Sequence, residues 1–289
     1  MTASSEILTE YESLANRQGF FVDRDSVALR LSGSDRKTFL HNFCTADIKA
    51  LEAGQSTEAF ILNGKGKTLF FVQVLCTDEH LMLIVPDSQK DDLNAHLSRY
   101  VIVEDVTIDF PADTLIVYTS WETESGFVSH IGQHSQVAVV GLDEANALLE
   151  GERTAVSRET FEAIRIESRF PLCGVDVTDD CLAQEFERDA TAISYTKGCY
   201  LGQETVARLD ALGHTNRSFC LAKADSEKTP DLGSELTVEE KKCGKATSTC
   251  WSPKYQSYVV LAMVKKPNHE PGKLLQLGDQ QLTVLPQES

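Results

Sequence analysis

The stretch Thr196-Lys197-Gly198-Cys199-Tyr200-Leu201-Gly202-Gln203-Glu204-Thr205-Val206-Ala207-Arg208 departs most from ordinary composition in this chain. Two glycines bracket a Cys-Tyr pair, and a helical pattern begins at Gly202. Glu204 falls in the first turn, where a carboxylate meets the positive end of the helix dipole. Arg208 follows four residues later, the favoured order for an ion pair along a helix, and Gly213 suits the helix exit. Cys199 thus lies in a glycine loop, two residues from Lys197 and just ahead of a helix N-terminus. Both influences favour thiolate over thiol. A strand–turn–helix junction around a buried cysteine accounts for the same residues, so physics alone leaves both readings open.

Upstream, Ser157 opens a helix that must end before Pro171. Its end carries Arg165-Ile166-Glu167-Ser168-Arg169. Arg165 and Glu167 read as a charge pair on a solvated face, or Glu167 as a buried carboxylate able to accept two N–H bonds from an aminopyrimidine. Residues 1–110 read as mixed α and β. Ser26 to Leu31 alternates as a half-buried strand, and Ser34 can cap a helix bearing Phe39, Leu40 and Phe43. Ala59 to Leu62 and Thr68 to Leu75 form a hairpin through Asn63-Gly64-Lys65-Gly66. Asp87 caps a second helix; Val101 to Phe110, Thr114 to Thr119 and Val137 to Val140 are further strands; Asp143 to Glu150 is a short helix closed by Gly151. From Cys220 onward, short β-rich runs alternate with turn clusters such as Pro230-Asp231-Leu232-Gly233, the texture of a small all-β domain. The fold class is α+β followed by a β-barrel or sandwich.

The 289 residues are 42% hydrophobic and 25% charged, enough apolar material for a real core and unlike a disordered or fibrous chain. Lys and Arg total 27 against 44 Asp and Glu, a net charge of −17 that repels phosphate backbones and anionic membranes. No nucleic-acid or membrane partner is expected, and an anionic small ligand needs a local basic pocket. The opening MTASSEILTE has no secretory pattern, and the apolar runs fall far short of the roughly 20 residues of a membrane helix. The expectation is a soluble, cytoplasmic protein. The 8 cysteines form no C-x-x-C pair, so most should be buried small hydrophobes with one reactive exception. No metal site is expected. His130 and His134, and His41 with Cys44, have helical spacing but no evident third ligand. Gly66-Lys67-Thr68 lacks the glycine of a phosphate loop, Ile61 standing in its place, and reads as a hairpin turn.

Together these stretches resemble the YgfZ-type folate-binding proteins, relatives of the glycine-cleavage T-protein. Lys197 to Glu204 fits the family's K-G-C-Y-x-G-Q-E signature without departure, and Arg208, Gly213, Asn216 and Arg217 continue in register. Leu31 to Ile48 resembles the family's G-x-D-R-x-x-F-L-H and T-x-D-I segment, and Gly244 to Pro253 its G-x-x-T-S-x-x-x-S-P turn. The resemblance implies two intertwined α+β folate-binding subdomains over residues 1–217 and a C-terminal β-barrel over 218–289. It implies tetrahydrofolate or a derivative as cofactor, and a role in assembling or maintaining iron–sulfur clusters. The partners would be folate and iron–sulfur enzymes or their assembly machinery. Carried over by position, Glu167 would hold the pterin edge and Cys199 would be the reactive thiol. Tyr200, Lys197, Arg208 and Arg217 join the candidate site, the last three by charge, for the folate carboxylates or for tuning Cys199.

The chain departs from the family at several positions. Arg169 stands where glycine is usual, Ala183 for proline and Ala46 for asparagine. Phe70 and Phe71 follow the hairpin where T-protein relatives that transfer an aminomethyl carbon have acidic residues. A phenyl ring cannot act as a base. That weighs against the alternative of a folate-dependent aminomethyltransferase or amine demethylase. A further alternative is a non-catalytic adaptor whose barrel docks a partner.

Overall fold

The computed structural model describes residues 5–132 and 136–287; His134 lies outside them. Two five-stranded sheets share the N-terminal part of the chain. Strand Gly19–Asp23 sits in one sheet beside Thr114–Thr119, with Gln136–Gly141 and Phe127–Val128 beyond and Thr154–Ala155 on its other side. Between those first two strands the chain leaves to build the other sheet, in the order Ser56–Leu62, Thr68–Cys76, Leu81–Pro86, Ser26–Ser32, Thr107–Asp109. That excursion makes the two subdomains intertwined. Six antiparallel strands between Arg217 and Val284 close a barrel, the last pairing with the first through Ala222 and Val284.

Local chemistry explains the elements that sequence patterning identified. Asn63 Oδ1 accepts the backbone N–H groups of Lys65 and Lys67, and Gly66 takes a left-handed φ of 74°, closing the hairpin. Ser157 caps helix Arg158–Glu167 by accepting the Thr160 N–H. Gly202 and Gly213 bound helix Gln203–Leu212, both left-handed.

Other expectations need correcting. Ser34 does not cap helix Arg36–His41; its hydroxyl and N–H both bond Asp105. Asp87 begins a 3-10 turn before helix Lys90–Ser98 and pairs with Lys90 instead of capping. Only Thr107–Asp109 of the expected Val101–Phe110 strand is paired, because Glu104 draws the Ile102 and Val103 N–H groups into a loop. Those two apolar side chains are 82% and 88% exposed, so this part of the run has no buried face to hold it in a sheet. Helix Ser5–Ala15 carried no signal that patterning registered. Its Glu10 accepts the Ser157 hydroxyl and N–H and the Thr160 hydroxyl, tying this helix to the start of helix Arg158–Glu167.

Four apolar clusters fill the molecule. The largest draws on both sheets, helix Arg158–Glu167 and the barrel, and is rich in aromatic rings. Phe21 stacks on Phe161 at 4.2 Å, Tyr118 tilts against Phe161 at 4.9 Å, and Phe186 meets Phe219 at 5.2 Å. Several of these rings, from both sheets, helix Arg158–Glu167 and the barrel, face a common space. The main cavity opens there.

Candidate functional site

A cavity of about 700 Å³ lies where the sheets, helix Arg158–Glu167 and the barrel meet. Phe21, Tyr118, Phe161, Phe186, Phe219 and Tyr255 give it aromatic walls. Among its charged lining residues are Arg17, Arg169, Arg188 and Lys254, against Glu167 and Glu187. A chain with net charge −17 thus gathers more cations than anions around this cavity. This is the basic pocket that an anionic ligand requires in an acidic protein.

Glu167 ends its helix with the carboxylate at the cavity wall. Tyr11 donates to Oε2 at 2.6 Å, and the Ser252 hydroxyl donates to Oε1. Burial pushes this carboxyl above the usual carboxylate range, against the opposing pull of the Ser252 and Tyr11 hydrogen bonds. Ser252 is itself held by the Tyr255 N–H at 3.0 Å. The carboxylate is therefore fixed by groups from two separate stretches of chain while retaining lone pairs for further donors.

The helix end is locked from beneath. Arg165, 2% exposed, donates through Nη1 to Asp176 at 2.9 Å and to the Phe170 carbonyl at 2.7 Å, and through Nη2 to Ser248 at 3.1 Å. Ser248 in turn donates to Asp176 at 2.8 Å. The solvated Arg165–Glu167 pair does not form, since positions two apart on a helix point to different sides. Instead strand Lys241–Ser252 contributes both Ser248 and Ser252, so the threonine–serine turn motif docks the barrel against the site.

Arg169 adopts φ of 52°, the left-handed conformation that glycine favours at a helix exit. The Phe170 N–H bonds the Arg165 carbonyl and the Arg169 N–H that of Ile166, so the chain turns as a glycine would turn it. The guanidinium donates to the carbonyls of Leu285 at 2.9 Å and Pro286 at 2.7 Å, drawing the C-terminal segment to the cavity, where Pro286 and Gln287 form part of its lining.

The signature loop lies elsewhere: Cys199, Lys197, Tyr200, Arg208 and Arg217 do not line this cavity. The loop packs on the 63–67 hairpin, with the Leu201 N–H on the Asn42 carbonyl and the Thr205 hydroxyl on that of Lys65. Cys199 is exposed and the other seven cysteines are buried. Lys197 is 8% exposed; its Nζ donates to the carbonyls of His41 at 2.5 Å and of Cys44 and Ala46 at 2.8 Å. Its ammonium is also 4.7 Å from the centre of the buried Tyr200 ring. Burial holds the Lys197 pKa below the ordinary lysine value. Arg217 bonds Glu185 at 2.9 and 2.7 Å and Asp180 at 2.7 Å, clamping the first barrel strand. Arg208 is exposed, and among the described residues it forms no ion pair with Glu204, water competing for both ends.

Tyr11, Ser252, Lys254 and Arg188 are cavity or carboxylate contacts that sequence reasoning did not single out. Ser252 sat in the quoted turn motif; the others carried no local signal. His41 Nδ1 faces Asp47 at 3.2 Å and the Cys44 thiol faces the Ala46 carbonyl. Among the described residues no group of three His, Cys, Asp or Glu comes together to hold a metal ion, and no helix is long and apolar enough to cross a membrane.

No family model matches the chain. The architecture matches the glycine cleavage system aminomethyltransferase T from Bartonella henselae with a TM-score of 0.80 at 16% identity, over 99% of this chain and 90% of that one. The chain has the T-protein fold. It is 25% identical to the tRNA-modifying protein YgfZ of Yersinia pestis over 73% of each chain. It is also 23% identical to an uncharacterized protein of Haemophilus influenzae, over 78% of this chain and 80% of that one. Within the T-protein fold, the chain is similar to YgfZ proteins.

Proposed function

We propose that the chain binds tetrahydrofolate or a derivative in the central cavity and serves as an accessory protein for assembly or maintenance of iron–sulfur enzymes, with Cys199 as its reactive thiol. The observation that carries this reading is the desolvated Glu167 carboxylate, set among aromatic walls and basic side chains. The cavity residues fit the group. Glu167 would accept N–H bonds from the pterin edge, the rings would cover its faces, and Arg17 and Lys254, exposed at the cavity, would meet the glutamyl carboxylates. Bound tetrahydrofolate supplies a ring nitrogen able to accept a one-carbon unit.

The exposed Cys199 is accessible to a macromolecular partner. Clusters usually take four cysteine ligands, so a single thiol suits thiol exchange or transient ligation while the client supplies the rest. The structural placements of Lys197 and Arg217 favour roles in supporting the loop and barrel over contact with folate. The name of the Yersinia relative suggests clients that modify tRNA. With net charge −17, this chain would act on such an enzyme and not on the RNA. Aminomethyl transfer is disfavoured because Phe70 and Phe71 are buried, Phe71 packing on Phe60 at 4.9 Å and Phe170 at 5.2 Å.

The test is a calorimetric titration with tetrahydrofolate, wild type beside Glu167→Ala. Loss of two charge-assisted hydrogen bonds should weaken binding by about 100-fold or more. Absence of binding by the wild type would overturn the folate reading. Cys199→Ser should retain folate binding and lose support of iron–sulfur enzyme activity in cells.

A further inference from the structure

We infer that Arg188 is a ligand-binding residue of the central cavity, presenting a fixed guanidinium edge to a carbonyl or carboxylate oxygen of the bound molecule. This deepens the folate reading and rests on it. Arg188 Nε donates to Glu58 Oε2 at 2.7 Å and Nη2 donates to Glu58 Oε1. Glu58, fully buried on strand Ser56–Leu62, also accepts from the Thr191 hydroxyl at 2.6 Å. The guanidinium carbon lies 5.3 Å from the centre of the Phe170 ring and 5.9 Å from that of Phe71. The group is thus gripped on one edge and flanked by rings.

Its other edge is uncommitted. A guanidinium carries five N–H donors in a rigid fork, and pairing with one carboxylate through Nε and Nη2 leaves both Nη1 donors. Among the described residues Nη1 makes no hydrogen bond, while the side chain retains 12% exposure and lines the cavity. The other arginines differ. Arg165 is enclosed by Glu162, Asp176 and Ser248, Arg169 donates to the Leu285 and Pro286 carbonyls, and Arg17 is exposed. Arg188 therefore combines burial, rigidity and unused donors.

A buried ion pair is a poor way to stabilise a fold, because an apolar pair of similar volume usually does as well. Such a pair cannot offer an oriented donor to a ligand. Glu167 as acceptor and Arg188 as donor give the cavity both halves of what a 2-amino-4-oxo ring presents: amine hydrogens and a carbonyl. A ligand carboxylate would satisfy the same guanidinium edge.

Arg188→Ala alone leaves Glu58 buried and unpaired, so Glu58→Met/Arg188→Met is the informative variant. Calorimetry with tetrahydrofolate and with 6-methyltetrahydropterin, which lacks the glutamyl carboxylates, separates the two acceptors. The double variant should melt within a few degrees of wild type and bind tetrahydrofolate about 10- to 100-fold more weakly. An equal loss with the pterin assigns the ring carbonyl; a loss confined to tetrahydrofolate assigns a carboxylate. Arg188→Lys, which keeps the charge on Glu58 without the fork, should stay folded and lose about tenfold, keeping the test open should the double variant not fold. Wild-type affinity in either folded variant overturns the inference alone. No binding by the wild type overturns it together with the folate reading.

Discussion

Replacing Lys197 by methionine keeps a flexible side chain of similar length but removes the donor that three backbone carbonyls share. The ammonium bonds His41, Cys44 and Ala46 within 2.5–2.8 Å, in a segment that turns from helix Arg36–His41 into the loop before strand Ser56–Leu62. Each such bond contributes about 1–1.5 kcal/mol net, so three lost together would cost about 3–4.5 kcal/mol. The cost is reduced because the wild type already suffers from burying the ammonium, which is why its pKa is depressed. About 3 kcal/mol is the expected loss, and the melting temperature of a chain this size should fall by about 6–12 °C. Urea and thermal denaturation give the stability, and a folate titration of the folded variant gives the affinity. Lys197→Arg should restore less than half of the loss, since a planar fork cannot serve three carbonyls converging on one point. An unchanged melting temperature with weakened folate binding would refute the structural role and return Lys197 to the ligand.

Three further outcomes are expected. The Glu167 pKa is raised above the ordinary 4.5 by burial, so between that value and the folded pKa the native state binds more protons than the unfolded chain, and stability falls as pH rises through this window. Glu167→Gln should accordingly gain stability relative to wild type above the folded pKa, with the gap closing as pH falls toward 4.5; chemical denaturation across pH measures it. Gly202→Ala would force a left-handed φ of 85° and place a Cβ 2.7 Å from the Asn63 carbonyl, costing at least about 2 kcal/mol, whereas Gly198→Ala meets nothing within 4 Å and should stay within about 0.5 kcal/mol. In a native thiol titration with an aromatic disulfide, one of the eight cysteines should react rapidly and Cys199→Ser should abolish that phase, because burial encloses the others and pushes Cys44 and Cys173 up to about 11.

Features that depend on neighbours in sequence were legible before any coordinates. The Asn63–Gly66 turn, the Ser157 cap and the Gly213 exit each arise from one residue's side chain or φ preference acting over a few positions. The signature loop identified the T-protein fold for the same reason: it is a contiguous pattern. Reading failed where local chemistry overrode strand propensity, as at Ile102 and Val103, whose N–H groups are taken by Glu104. Partners distant along the chain are not legible in this way: the Lys197 ammonium is held by carbonyls some 150 positions away.

The chain's composition and motifs by themselves determined the class: an α+β protein ending in a barrel, acidic overall, with cysteines that are mostly core residues. The site was decided only by tertiary structure. Glu167 meets Tyr11 from 156 positions away and Ser252 from 85, and Arg188 meets Glu58 across 130. Helical or strand periodicity cannot encode such meetings, because they depend on how three separately packed units close on one another. Arg169 shows both levels in one residue. Its substitution for glycine is visible in the sequence, but only the folded backbone reveals that arginine takes up the same left-handed turn and that its side chain reaches the C-terminal segment.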